Sequence, residues 1–126
     1  MPTPMGNPET HAGLIEARRR IAAAKAEGST FLDLSKLDLA FVPAELIELV
    51  ALRSLHLGSN RIDNGGARAI AEGLTALTSL NLGNNLMDDG GAKAIAEGLT
   101  ALTSLNLGNN RIGNGGARAI AEGLTA

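Results

Sequence analysis

Few side chains in this sequence are of the types that do chemistry, and their spacing does not assemble a reactive site. The 126 residues contain no cysteine, which excludes disulfides, thiolate metal ligands and a cysteine nucleophile. The two histidines, His11 and His56, have no serine or carboxylate at the spacing of a catalytic triad or a metal site. We therefore predict that the protein is not an enzyme, and that it has no catalytic, cofactor-binding or metal-binding residues.

Two glycine-rich segments resemble ligand-binding loops, but both lack residues that such loops require. The segment GNNRIGNGG (108–116) lacks the Lys-Ser/Thr pair of a phosphate-binding loop. The run Asp88-Asp89-Gly90 is similar to the start of a calcium loop, but Met87 occupies a ligand position and no terminal glutamate fits. Neither segment predicts a phosphate or calcium site.

Composition and charge exclude several classes of partner. The formal net charge is −2, which argues against binding to nucleic acid or to an anionic membrane. No apolar run approaches the length of a membrane span, and the N-terminus has no secretory signal. We expect a cytoplasmic protein, or a bacterial effector whose delivery signal cannot be recognised in the sequence.

An internal repeat of 25 residues dominates the chain. The last copy matches the middle copy at 20 of 25 positions and the first at 21 of 25. Repeats of this length indicate a solenoid in which each unit buries its apolar face against its neighbours. The predicted units are a degenerate first repeat at 29–51 and three regular repeats at 52–76, 77–101 and 102–126.

Each repeat combines a strand pattern with a helix pattern. Leu105 and Leu107 alternate as in a strand that is apolar on one face. The helical half has apolar residues at i, i+3, i+4 and i+7, namely Ala117, Ile120, Ala121 and Leu124. Asn114, with its equivalents Asn64 and Asp89, or the residue before each of them, is expected to cap this helix. A glycine is expected to end it, at Gly73, Gly98 and Gly123.

One asparagine recurs immediately after each regular strand, at Asn60, Asn85 and Asn110. A side-chain amide at this bend can pair with backbone groups that neither the strand nor the helix reaches. These residues are therefore predicted to form a structural ladder inside the turns. The upstream copy has Leu37 at this position, so its turn must close differently.

The pattern LxxLxLxxNxI, as in LTSLNLGNNRI (102–112), resembles the leucine-rich repeat signature. The following GARAIAEGL (116–124) is similar to the helical half of ribonuclease-inhibitor-like and GALA-type repeats, whereas FVPAELIELVA (41–51) is similar to bacterial and Roco-type repeats. The resemblance implies an α/β horseshoe segment with parallel strands on the concave face and helices on the convex face. It also implies a scaffold for protein interaction.

The two ends of the array are predicted to differ. Residues 1–9 are expected to be a disordered tail, and residues 10–28 an N-terminal capping helix ended by Gly28. The stripe Leu14, Ala17, Ile21 and Ala24 would cover the first turn, an assignment preferred to an amphipathic membrane helix. Repeat 102–126 is expected to have no cap. We take that to indicate a piece of a longer array, or an end-to-end homodimer through this repeat.

Candidate partner-binding residues lie where the resemblance places the concave face. The distinctive ones are near the N-terminus, and the later strands contribute asparagines: Phe31, Asp33, Lys36, Arg53, His56, Asn81 and Asn106. The structural alternative is that Phe31 packs under the capping helix and that His56 is an incidental exposed residue.

Three functions remain open at this point. The first is a non-catalytic scaffold that binds a protein or peptide partner through the concave strand face. The second is the sensor part of a larger signalling enzyme or effector, such as a Roco-type GTPase or a ubiquitin ligase. The third is a structural or consensus-designed repeat array without a ligand.

Overall fold

The computed structural model describes residues 8–123, with side chains from residue 12 onward. Residues 1–7 of the predicted tail, His11 and Leu124 therefore lie outside the described side chains. The elements in chain order are α1 (Pro8–Glu27), β1 (Phe31–Asp33), α2 (Ala44–Ile47), β2 (Ser54–His56), α3 (Asn64–Gly73), β3 (Ser79–Asn81), α4 (Asp89–Gly98), β4 (Ser104–Asn106) and α5 (Asn114–Gly123).

The four strands form one parallel sheet in the order β1-β2-β3-β4. Equivalent residues of successive repeats lie side by side, so that Leu55 pairs with Leu80 and Leu80 with Leu105. Leu32 aligns with Leu55 in the same way, which places the degenerate first repeat in register with the regular ones. The prediction of a leucine-rich solenoid with parallel strands on one face and helices on the other is confirmed.

The core between the strands and helices is aliphatic. Leu55, Leu80 and Ile70 are at most 1% exposed, and each has equivalents in the neighbouring turns. A strand of three residues cannot bury its side chains alone, so each turn is covered by the next. The predicted helical stripe is buried in α3, where Ala67 and Ala71 join Ile70 in the core.

The residue before each predicted cap position caps α3 and α4. The Asp63 side chain accepts hydrogen bonds from the backbone N–H groups of Gly65 and Gly66, and Asp88 accepts one from Gly90. Asn64 and Asp89 are instead the first helical residues. In the last repeat the position before the helix is Gly113, whose backbone N–H donates to the Asp89 carboxylate at 2.7 Å.

Gly73, Gly98 and Gly123 end their helices as predicted, but for a different reason from a left-handed cap. Among the described glycines only Gly28 has a positive φ, of 65°. A Cβ on Gly98 would lie 2.6 Å from the Ala71 carbonyl oxygen, and one on Gly123 would lie 2.8 Å from that of Ala96. Only glycine fits at these positions without a shift, because the neighbouring helices pack closely there.

Helix α1 covers the N-terminal end of the core. Ala17, Ile21 and Ala24 are buried, and Leu14 packs against them in part. The helix begins at Pro8, two residues before the predicted start at residue 10. Proline suits the first helical position because its missing N–H would have no partner there. Gly28 follows the last helical residue and turns the chain into β1.

The last described turn is the least covered. Leu105, Leu107, Ile112 and Ile120 are only partly buried, as expected for a repeat that contacts a neighbour on one side. Leu102 departs from that expectation, because it is 7% exposed and belongs to the core shared with the preceding turn.

Candidate binding face

The concave face is built from the strand side chains that alternate with the buried leucines. The outward residues before each leucine are Ser54, Ser79 and Ser104, with Phe31 in the first turn. The outward residues after each leucine are aligned across the sheet and form the tethered row: Asp33, His56, Asn81 and Asn106.

Every side chain of the tethered row accepts a hydrogen bond from the backbone N–H two residues further on. Asn81 and Asn106 each do so through Oδ1 at 2.9 Å, from Gly83 and Gly108. His56 accepts through Nδ1 at 3.1 Å from Gly58. Asp33 accepts through Oδ1 from the N–H of Ser35 at 2.9 Å and from its hydroxyl at 2.7 Å.

These hydrogen bonds fix which atoms of the row remain available. Because the His56 Nδ1 accepts, the proton of the neutral ring is on Nε2. Because each asparagine Oδ1 accepts, its Nδ2 amide group is directed away from the backbone. The sequence predicted that these side chains are exposed, but it did not predict their hydrogen bonds to the backbone. The only sequence signal for these bonds is a polar residue two positions before a recurring Gly or Ser.

Asp33 carries the charge of the row. The Ser35 hydroxyl and backbone N–H lower the pKa of its carboxyl, and the charge of Arg20 lowers it further. Arg20, on α1, also donates from Nη1 to the Asp33 carbonyl oxygen at 2.9 Å. This contact covers part of the outer edge of β1, where no further strand pairs.

The structure decides against Phe31 packing under the capping helix. Phe31 is 58% exposed and borders a groove between α1 and β1, with Arg19 and Ala23 on the helix side. Phe31 lies two residues before Asp33 on the same face of β1, and Asp33 pairs with His56 of β2. These three predicted residues are therefore neighbours.

Lys36 and Arg53 lie at opposite ends of the strands. The Arg53 backbone N–H donates to the carbonyl of Thr30, just before β1 begins. Lys36 lies in the turn after β1, where its backbone N–H donates to the carbonyl of Gly58. Both side chains are exposed, but the structure does not bring them together into one cluster.

The asparagines of the predicted ladder form hydrogen bonds with backbone groups of two adjacent turns. The buried Asn85 amide donates to the carbonyls of Leu57, Leu82 and Gly83 at 3.0–3.1 Å, and its Oδ1 accepts from the N–H of Ile62 at 2.8 Å. Two of these partners, Leu57 and Ile62, belong to the preceding turn. Each ladder residue therefore joins two repeats.

The ladder also explains how the first turn closes with Leu37 in the asparagine position. Asn60, from the second repeat, accepts hydrogen bonds from the N–H groups of both Leu37 and Leu39 and donates to the Leu34 carbonyl. The turn needs no asparagine of its own, because the next repeat supplies the amide.

Other kinds of site were sought over the described part of the chain. Between residues 8 and 123 no helix is long and apolar enough to cross a membrane. The same stretch brings together no group of three or more His, Cys, Asp or Glu side chains able to hold a metal ion.

Comparison with known proteins agrees with the geometry of the repeats. The sequence profile of the leucine-rich repeat family matches residues 50–112, which is half of the chain. The protein belongs to the leucine-rich repeat family. Leucine-rich repeats are generally a non-catalytic fold whose concave surface is used for protein interaction.

Individual members of the family are similar over limited lengths. A leucine-rich repeat protein soc-2 homolog from Nematostella vectensis is 44% identical over 48 residues, which is 38% of this chain and only 8% of that relative. The solved structure of leiomodin-1 actin-binding site 2 superposes with a TM-score of 0.62 at 23% identity, over 85% of this chain and 69% of that one. An internalin (inlF) of Listeria monocytogenes reaches a TM-score of 0.35 at 20% identity, over 65% and 36% of the two chains. The leiomodin superposition supports the fold.

Proposed function

We propose that this leucine-rich repeat chain binds a protein or peptide partner through the concave face of its four strands. The observation that supports this most is the tethered row, in which Asp33, His56, Asn81 and Asn106 lie in register with their free atoms exposed on one surface. Side chains that are already held in place lose little conformational entropy when a partner binds.

The N-terminal end of this face offers an apolar anchor. Phe31 is the aromatic residue of the concave face, and aromatic side chains are enriched at interfaces because they bury a large area with few rotatable bonds. Asp33 and His56 flank it with groups that form hydrogen bonds, and Arg53 lies near its N-terminal side. A partner that reaches this corner would combine apolar contact with polar contacts.

The test is selection of binders from a displayed random peptide library, followed by affinity measurements on matched variants. Ser79→Glu places a longer, negatively charged side chain in the centre of the concave face, whereas Thr75→Glu makes the same change of charge in the exposed loop between α3 and β3. We expect Ser79→Glu to weaken binding and Thr75→Glu to leave it unchanged. Equal effects, or amide shifts on ligand addition that lie on α3 and α4, would place the interface elsewhere.

A second matched pair tests the anchor. Phe31 and Phe41 are 58% and 48% exposed, but Phe41 lies between β1 and α2 and not on a strand. Phe31→Ala should weaken the selected binders and Phe41→Ala should not. A library that yields no binder at the concave face would favour the rival account, a repeat array without a ligand.

A further inference from the structure

The geometry points to a partner segment that carries hydrogen-bond acceptors, such as carboxylates, over His56, Asn81 and Asn106 and a cationic group over Asp33. This inference rests on the proposed function, because it assigns the chemistry of the partner that the concave face would bind. It follows from which atoms of the tethered row are free.

Three consecutive members of the row present hydrogen-bond donors. Their acceptor atoms are used by the backbone N–H groups of Gly58, Gly83 and Gly108. The remaining polar atoms are the His56 Nε2–H and the two asparagine Nδ2 amides, and among residues 12–123 none of them has a protein acceptor. A partner that covers these groups must supply acceptors, because a donor buried at an interface without an acceptor loses its hydrogen bond to water and gains none in return.

The spacing of the donors is set by the sheet. Neighbouring strands lie about 4.8 Å apart, so adjacent donors are separated by about that distance along a line that crosses the strands. The glycines two residues later keep this line clear, since a Cβ on Gly58 would lie 2.8 Å from the His56 ring and one on Gly83 would lie 3.1 Å from the Asn106 Oδ1. The partner therefore has to run across the strands and not along one of them.

Asp33, the remaining member of the tethered row, determines the orientation in which a partner segment binds. Asp33 uses Oδ1 for its tether to Ser35, and Oδ2 remains as an acceptor on a carboxylate whose pKa is lowered. An acidic group of the partner would be repelled there, and a lysine or arginine would be attracted. A segment with a basic end followed by acceptors fits the row in one orientation only.

Exchanges between Asn and Asp test this chemistry without removing the tether. Asn81→Asp and Asn106→Asp keep the Oδ1 acceptor and replace the amide donor with a charged oxygen. Asp33 already makes the same tether with a carboxylate, so the backbone turn is preserved. The reverse change, Asp33→Asn, replaces the free carboxylate oxygen with a donor.

Peptides selected from the random library on the unmodified protein are the probe. We expect the Asn81→Asp/Asn106→Asp protein to lose roughly 100-fold or more in affinity, since two donors to the partner are replaced by charged acceptors that repel its acceptors. Changing the peptide's acidic residues to Lys should restore binding to the Asp variant. That rescue would not occur if the two asparagines served only to shape the turn. Unchanged melting temperatures show that the variants fold.

The outcomes separate this inference from the proposed function. Peptides whose binding is weakened by Ser79→Glu, yet that bind the Asn and Asp forms equally, would overturn the assignment of an acceptor-rich partner and leave the proposed concave interface unaffected. Loss of affinity without rescue by Lys would also overturn it. Absence of any concave-face binder would overturn the proposed function, and this inference with it.

Discussion

The carboxylate of Asp89 accepts a hydrogen bond from the backbone N–H of Gly113, 24 residues later, at 2.7 Å. Asp89 begins α4, whereas Gly113 immediately precedes α5, so the contact joins the N-terminal ends of two adjacent helices. Asp63 and Asp88 cap their own helices, but Gly113 has no side chain with which to do so. The third repeat therefore supplies an acceptor to the fourth.

Removing this carboxylate should loosen α5. We expect Asp89→Ala to destabilise the last helix by about 1 kcal/mol, the usual cost of losing a capping acceptor. Amide hydrogen exchange should accelerate in α5 more than in α3, where the cap belongs to Asp63. Equal acceleration in α5 and α3 would show a general loss of stability and would contradict a specific contact from Asp89 to the start of α5. Asp89→Asn, which retains an acceptor oxygen, is the control.

The asparagine ladder should be more costly to break inside the array than at its end. Asn85→Ala leaves the buried Ile62 N–H without its acceptor and removes one of two donors from each of three carbonyls, so we expect a loss of about 2–3 kcal/mol. Asn110 is only half-buried, and water can reach its partners, so Asn110→Ala should cost about 1 kcal/mol. Denaturant unfolding measures both. The reverse order would contradict the assignment of Asn85 as the more buried clamp.

The turn after each strand contains a residue in the left-handed region. Asn84 and Asn109 have φ of 57° and 54°, whereas the equivalent Ser59 has φ of 59°. Asparagine adopts this conformation at lower cost than serine. Ser59→Asn should therefore raise stability by about 0.5 kcal/mol. Ser104→Asn, on an exposed strand position, should give no gain, and a gain of the same size there would assign the effect to something other than φ.

Lowering the pH from about 4.3 toward 2 should destabilise the capping helix α1. Hydrogen bonds from Arg19 and then Arg20 hold the pKa of Glu16 at about 2. Because the folded pKa lies below the unfolded value of about 4.3, the stabilisation is complete above that value and is lost as pH falls toward 2. The difference in melting temperature between the unmodified protein and Glu16→Gln should shrink over this interval. A constant difference between pH 7 and pH 2 would contradict the ion pair.

Much of the fold could be predicted because the same 25-residue pattern occurs three times in the sequence. The period gave the strand register, the apolar spacing gave the buried face of α3, and Asn60 and Asn85 follow the strands at the position where backbone groups need a partner. These features are local to one 25-residue unit. A single sequence is sufficient to derive them.

The stacking of apolar faces was predicted, but the individual residue pairs that join neighbouring units were not. Nothing within one repeat shows that Gly98 is small because of Ala71, that Asn60 closes the turn around Leu37, or that Asp89 reaches Gly113. These three pairs are 23–27 positions apart, and their pairing depends on how the turns stack. The hydrogen bond from the Gly58 N–H to His56 was missed for another reason, because an exposed side chain was expected to be free.

The account depends on adjacent coils covering each other's leucines, and two equivalent residues test that most directly. Leu80 is 1% exposed between two neighbouring turns, whereas Leu105 occupies the same position in the last described turn and is only partly buried. Leu80→Ala should cost about 3–5 kcal/mol in denaturant unfolding, and Leu105→Ala should cost distinctly less. Equal losses at the two positions would contradict the stacking of the repeats.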